Sequence, residues 1–124
     1  MVDFENFNLK LESIVNSSNW KQLEELFKSK RNIFLFGNGG NMGVTDHAAV
    51  DMSRLTDKNV LCPGSGITAT SIIGDNSFDL WFKVWLEQRF RTIDLSDTLV
   101  IGFSCSTNSD SSKSIMNALE FANE

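Results

Sequence analysis

The sequence is poor in the features that mark secreted and membrane proteins. Its two cysteines, Cys62 and Cys105, are too few and too far apart for a disulfide framework or a metal knuckle. No apolar stretch approaches the roughly 18 residues that span a bilayer, and the first residues are acidic where a secretory signal would be basic. We therefore expect a cytoplasmic protein with no membrane partner, whose two thiols are unpaired and packed within the domain.

Positive charge is scarce as well. The chain has 11 Lys and Arg residues against 16 Asp and Glu residues, and its one basic run, residues 28–31, is short. Because nucleic-acid binding needs clustered Lys and Arg to neutralise phosphates, we expect no nucleic-acid partner. The apolar share of 41% is ordinary for a globular domain, and it excludes a disordered or collagen-like chain.

The first part of the chain, residues 1–31, has the spacing of two helices. Phe4, Phe7 and Leu11 recur at three- and four-residue steps, and a second apolar run begins at Trp20. Ser18 or Asn19 is suited to cap the second helix. We predict a helical lead-in over these residues.

From Asn32 onwards, short apolar runs alternate with helical patterns. Residues 33–36, 59–62 and 98–103 have the composition of buried strands, and Pro63, the only proline, ends the second of them. Helical spacing fits residues 43–55, residues 67–73, a long stretch from Ser77 and the last residues of the chain. Strands that alternate with helices predict a parallel sheet. The fold class is therefore α/β, a single domain over residues 1–124 with its core in residues 32–124.

Two of the predicted strands run into loops with the composition of an anion site. The glycine loop, residues 37–41, lets backbone N–H groups approach a phosphate, and the serine loop, residues 104–112, supplies small hydroxyl donors. The carboxyl ends of parallel strands meet at one edge of a sheet, where ligands bind. The sequence thus predicts a cleft for a small phosphorylated molecule, held without a cationic side chain. Taken singly, each loop is also compatible with a tight turn or a helix cap.

Two nucleotide-binding motifs fit the glycine loop poorly. The Gly37, Gly39 and Gly43 spacing approaches a dinucleotide fingerprint, which needs an acidic residue at the end of the second strand, and residues 60–63 offer none. A P-loop would need a Gly-Lys-Ser/Thr sequence that is also missing. A small phosphorylated ligand is favoured over a nucleotide.

The only histidine, His47, lies four residues before Asp51 on the helix that follows the glycine loop. This spacing puts both side chains on one helix face, where they could hold a metal ion or act as an acid–base pair. A structural role for this histidine is the alternative.

The loops and this helix resemble the SIS (sugar isomerase) domain family, and within it the phosphoheptose isomerases. Residues 36–41 (FGNGGN) are similar to the family's G-N-G-G-S loop, and residues 47–52 (HAAVDM) to its H-x-x-x-E helix. Residues 74–78 (GDNSF) are similar to its N-D segment, and residues 101–109 (IGFSCSTNS) to its G-I-S-T-S-G-N-S phosphate loop. These matches occur in the family's order over nearly the whole chain.

The resemblance implies a flavodoxin-like parallel sheet of order 2-1-3 and a homo-oligomer, a dimer or tetramer, with active sites between subunits. It implies conversion of sedoheptulose 7-phosphate to D-glycero-D-manno-heptose 7-phosphate, a step towards lipopolysaccharide precursors that passes through an enediol. His47 and Asp51 would be catalytic and would hold zinc. The residues implied to bind the sugar phosphate are Gly37, Asn38, Gly39, Gly40, Asn41, Asp75, Ser104, Cys105, Ser106 and Ser109.

The chain departs from the family at several of these positions. Asp51 is one methylene shorter than the family's Glu, Asn41 stands in place of Ser, and Thr107 stands in place of Gly. The family continues into further strands and a last helix with a Gln and a His, so we expect these 124 residues to be a C-terminally truncated SIS domain. The alternative to an isomerase is a non-catalytic module that binds a phosphosugar or a protein partner. A scaffold without ligand is the third possibility.

Truncation also predicts self-association. Residues 98–103 would form an unpaired edge strand. Trp81, Phe82, Trp85 and Phe90 would present more apolar surface than three strands can cover. We expect copies of the chain to meet through the third strands or through these aromatic helices.

Overall fold

Helices and strands alternate along the chain in the computed structural model, which describes Met1, residues 3–64 and residues 66–124. The strands are β1 (Asn32–Gly37), β2 (Asn59–Leu61) and β3 (Thr98–Phe103). The helices are α1 (Phe4–Val15), α2 (Ser18–Ser29), α3 (Gly40–Leu55), α4 (Ile67–Asp75), α5 (Trp81–Phe90) and α6 (Lys113–Ala122). Short 3₁₀ turns precede α5, β3 and α6. The α/β class and the helical lead-in are confirmed.

The three strands form one parallel sheet of order β2-β1-β3, as predicted. β1 lies in the centre and pairs with β3 along its whole length, from Asn32 opposite Thr98 to Gly37 opposite Phe103. Its pairing with β2 stops at Phe34 opposite Leu61. β3 is therefore an edge strand, and all its residues are half-buried.

Alternation along β1 creates two cores, one on each face of the sheet. Phe34 and Phe36 point into a cluster with residues of α4, α5 and α6. Ile33 and Leu35 point the other way, into a cluster with Ala49 of α3 and with β2. Since these four β1 side chains have no exposed surface, β1 must be apolar on both faces.

For three of the four aromatic residues of α5 the sequence prediction was wrong. Trp81, Phe82 and Trp85 are at most 1% exposed, so they offer no surface for self-association, whereas Phe90 is half-buried. Phe82 stacks on Phe36 with ring centroids 4.8 Å apart, and Trp85 meets Phe34 edge-on at 5.4 Å. Contacts from α4 and α6, in addition to the sheet, cover this helix. The three-stranded sheet alone would have left part of α5 exposed to solvent.

The helix starts differ slightly from those predicted. Ser17, rather than Ser18 or Asn19, caps α2, and its hydroxyl accepts the Trp20 N–H at 3.2 Å. α3 begins at Gly40, because Gly39 takes a φ of +57° that ends the strand and turns the chain directly into a helix. Within the described ranges, no helix is long and apolar enough to cross a membrane.

Candidate functional site

The glycine loop and the serine loop meet at the carboxyl edge of the sheet and enclose a cleft of about 270 Å³. Most of the predicted binding residues line it, together with Ser111 of the serine loop and with Ile115, which was not predicted as a ligand. The lining residues are Asn38, Gly39, Asn41, Ser104, Cys105, Ser106, Ser109, Ser111 and Ile115. This volume is just below the range of about 300–1,000 Å³ found for drug-sized ligands, so the cleft suits a phosphoryl group or a small phosphorylated molecule.

Backbone geometry shapes the glycine side of the cleft. Gly37 packs behind it, where a Cβ atom would lie 2.7 Å from Asn41 Cβ and 2.9 Å from the Phe103 carbonyl oxygen. The N–H groups of Asn41 and Met42 already bond to the carbonyls of Asn38 and Gly39. Among the described residues, no side chain caps α3. The Gly39 and Gly40 N–H groups have no backbone partner within the part of the chain that the structure describes, and of these two residues only Gly39 lines the cleft.

The serine side is organised by hydrogen bonds within the loop. Ser104 Oγ donates to the Ser106 carbonyl, and Ser106 Oγ accepts the Asn108 N–H at 3.2 Å. Ser109 Oγ and Ser111 Oγ lie 2.9 Å apart. A hydroxyl has one donor hydrogen, so the O–H of Ser104 is already used, whereas Ser106 Oγ only accepts and keeps its O–H for a further bond. The loop thus presents several preorganised hydroxyls to the cleft.

Neutral groups line the whole cleft. The nearest lysine in sequence, Lys113, binds the Asp110 carboxylate at 2.9 Å instead, and the charge of Asp79 also favours its protonated form. Its pKa is raised chiefly by the hydrogen bond to Asp110, and the Asp110 pKa is lowered by the same contact. An anion here would be held by N–H groups, hydroxyls and helix N-termini, as the composition predicted.

A side-chain amide joins the two halves of the cleft. Asn38 Nδ2 donates to the Ser111 carbonyl at 2.8 Å and to Ser114 Oγ at 2.9 Å. A second contact across the cleft, from Asn41 Nδ2 to Cys105 Sγ, is 3.9 Å long and is weak.

Five of the predicted site residues lie outside the cleft lining. Gly37 packs behind the cleft, Asp75 ends α4 and is exposed, and Gly40 begins α3. His47 and Asp51 lie on the solvent side of α3, with side chains 81% and 45% exposed. The predicted shared face is confirmed, because His47 Nε2 is 3.1 Å from Asp51 Oδ2, and Arg54 is 3.9 Å from the same carboxylate.

The His47–Asp51 pair supplies two ligands for the zinc ion that the resemblance implies. Catalytic zinc sites take three protein ligands and structural sites take four. In the described part of the chain, no group of three or more His, Cys, Asp and Glu side chains could hold a metal ion. One chain alone therefore does not fit a complete zinc site, and Arg54 adds an unfavourable positive charge beside Asp51.

Sequence reasoning missed two residues that build the cleft. Ile115 lines it, and the buried Ser114 holds Asn38. Their spacing of four and three residues from Ser111, across the start of α6, was the available signal, since it puts them on one helix face.

The two cysteines have different surroundings. Both are free, but Cys105 is exposed, which corrects the prediction that both thiols are packed, because its place in the serine loop puts it on the wall of an open cleft. Cys62, at the end of β2, is half-buried. Burial raises the pKa of the Cys62 thiol, and so do the hydrogen bond and negative charge of Asp46.

Alkylation should distinguish these thiols. We expect iodoacetamide at pH 8 to modify Cys105 first, because the thiolate is the reactive form and the raised pKa of Cys62 keeps that thiol protonated. In a Cys105→Ser variant, the remaining reaction should be slow and should accelerate as the pH rises further. Mass spectrometry of Cys62→Ser and Cys105→Ser variants measures both rates, and equal rates would contradict the assignment.

Comparison of the chain with family models, with curated proteins and with solved structures finds no match. The resemblance to the SIS family therefore depends on the four sequence segments alone. The cleft between the glycine and serine loops is what the structure adds to them.

Proposed function

We propose that this chain binds the phosphoryl group of a small sugar phosphate in the cleft between the glycine and serine loops. The observation that carries the proposal is the convergence of both loops on one cleft at the carboxyl edge of a parallel sheet, where ligands of such folds bind. The backbone N–H of Gly39, just before α3, and the hydroxyls of Ser106 and Ser109 are the proposed donors. The two free thiols suit the cytoplasm as its proposed location.

A titration tests this proposal. We expect calorimetry to detect binding of sedoheptulose 7-phosphate and no binding of unphosphorylated sedoheptulose, because the cleft donors recognise the phosphoryl group. Ser106→Ala should weaken binding, since it removes a cleft hydroxyl, whereas Ser71→Ala on the exposed surface of α4 should not. Equal heats for the two sugars would refute phosphate recognition.

Isomerisation of the bound sugar phosphate is the second candidate function. The observation that favours it is the 3.1 Å contact between His47 and Asp51, a pairing able to move a proton. Both residues lie outside the cleft lining, so an active site would need a second copy to complete it and to complete a zinc site. Aldoheptose formation, followed in the same titration, distinguishes an isomerase from a binding module.

We also propose that the chain self-associates through the β3 edge rather than through Trp81, Phe82 and Trp85. Beside β3 lies an open apolar cleft of about 670 Å³ that includes Leu95, Leu99 and Phe121. Unpaired strand edges with apolar surroundings favour pairing with another strand, here β3 of a second copy.

Sedimentation at micromolar concentration measures this association. Leu95 is 54% exposed beside β3, so Leu95→Lys should shift the protein towards monomer. Leu9→Lys, at a site of 61% exposure on α1, is the matched control and should leave the distribution unchanged. A wild-type chain that sediments as a monomer contradicts the proposal.

A further inference from the structure

We propose that Asn38 is a positioning residue, whose side chain fixes the start of α6 against the glycine loop and so sets the width of the cleft without contacting the ligand. The inference rests on the anion-binding function proposed above. It differs from the role that the SIS resemblance implies, in which Asn38 lines the sugar site as a ligand.

The first argument is the use of the amide donors. A primary amide has two N–H bonds, and Asn38 directs both into the protein, to the Ser111 carbonyl at 2.8 Å and to Ser114 Oγ at 2.9 Å. What remains is the Oδ1 acceptor, which repels the oxygens of a phosphate. The Asn38 side chain therefore has no donor left for an anion.

The second argument is the burial of its partner. Ser114 has 0% exposure in the first turn of α6, so it cannot touch a ligand, and its hydroxyl needs a partner inside the protein. The adjoining turn is held separately, since Ser112 Oγ donates to the Ser109 carbonyl at 2.7 Å. Asn38 connects this whole serine-rich turn to the glycine loop.

The third argument is the position of this connection relative to the cleft walls. Gly39 and Asn41 lie on one side, and Ser109 and Ser111 lie on the other. The Asn41–Cys105 contact across the cleft is 3.9 Å long, which leaves the two hydrogen bonds of Asn38 as the firmer link. Loss of these two hydrogen bonds would let the two cleft walls separate, which would increase the distance between the groups that donate to the anion.

A double-mutant cycle with sulfate as the probe tests the role, because sulfate does not change its charge near neutral pH. NMR titration of Asn38→Ala and of Ser114→Ala should each show sulfate affinity about fivefold or more below wild type. The double variant should bind no more weakly than the weaker single variant, because both changes cut the same connection. If Asn38→Ala fails to fold, Asn38→Leu replaces it, since it keeps the approximate shape, loses both donors and adds no charge that would repel sulfate.

Thr45→Ala is the matched control for a lost buried hydroxyl. Thr45 is 1% exposed and donates to the Met42 carbonyl at 3.0 Å, outside the cleft. Thr45→Ala should lower the melting temperature and leave sulfate affinity unchanged.

Three results would overturn the proposal. Weakened sulfate binding in Asn38→Ala, together with wild-type binding in Ser114→Ala, would make Asn38 a direct ligand. A wild-type chain that binds no sulfate overturns the proposed function and this role with it, whereas wild-type binding by all variants overturns this role alone.

Discussion

Replacing Phe34 by alanine is expected to lower the free energy of unfolding by about 3–5 kcal/mol, the usual cost of deleting a buried phenyl ring. Phe34 has no exposed surface in the central strand, and its ring meets Trp85 and Phe90 edge-on at 5.4 and 5.7 Å. The substitution removes two aromatic pairs and leaves a cavity that the sheet cannot close. Since small domains are stable by about 5–15 kcal/mol, this loss is a large fraction of the total and should clearly lower the urea midpoint.

Urea denaturation followed by tryptophan fluorescence measures this loss. The matched control is Phe4→Ala on α1, where the same ring is 71% exposed and its removal should change the stability by less than about 0.5 kcal/mol. A loss below about 1 kcal/mol for Phe34→Ala would contradict the two-sided core around β1.

The second large effect is expected at Gly37, where alanine should damage both the fold and the cleft. Its Cβ would lie 2.7 Å from Asn41 Cβ and 2.9 Å from the Phe103 carbonyl oxygen. Neither neighbour is the end of a flexible side chain, so the glycine loop has to move away from β3. We expect the free energy of unfolding to fall by about 1–3 kcal/mol. We also expect the molecules that remain folded to bind sulfate more weakly than wild type.

Gly43→Ala provides the control for this substitution. Gly43 lies within α3, where an added Cβ atom would meet nothing within 4 Å beyond the helix's own backbone. Alanine should therefore stabilise the helix by about 0.5–1 kcal/mol and leave sulfate binding unchanged. Thermal melting and a sulfate titration of both variants give the comparison. Equal behaviour of the two alanine variants would contradict the close approach of Gly37 to β3.

The strands were predictable because they depend on local composition, whereas the sheet order was expected only from the resemblance to the SIS family. Residues 33–36 are apolar without interruption, as a strand covered on both faces requires, and residues 98–103 were predicted with the bounds that β3 has. The glycine and serine loops follow these strands directly. Their meeting at one sheet edge therefore follows from parallel topology.

What sequence could not supply was the packing between distant segments. The burial of Trp81 and Trp85 depends on α4 and α6 closing over α5, which no periodicity within α5 records. The bond from Asn38 to Ser114 joins positions 76 residues apart. The exposure of His47 likewise depends on which face of α3 packs on the sheet, and the spacing to Asp51 is the same for a buried or an exposed pair.

The central place of β1 also governs the order in which the chain can fold during synthesis. Arg31, beside the start of β1, bonds to Asp97, which is 66 residues later. Pairing over such a distance carries a loop-closure cost and is slow to form. Until β3 emerges from the ribosome, one edge of an almost wholly apolar strand stays open, and such segments are prone to aggregate. The central strand β1 is thus also the segment of the nascent chain that most needs protection from aggregation.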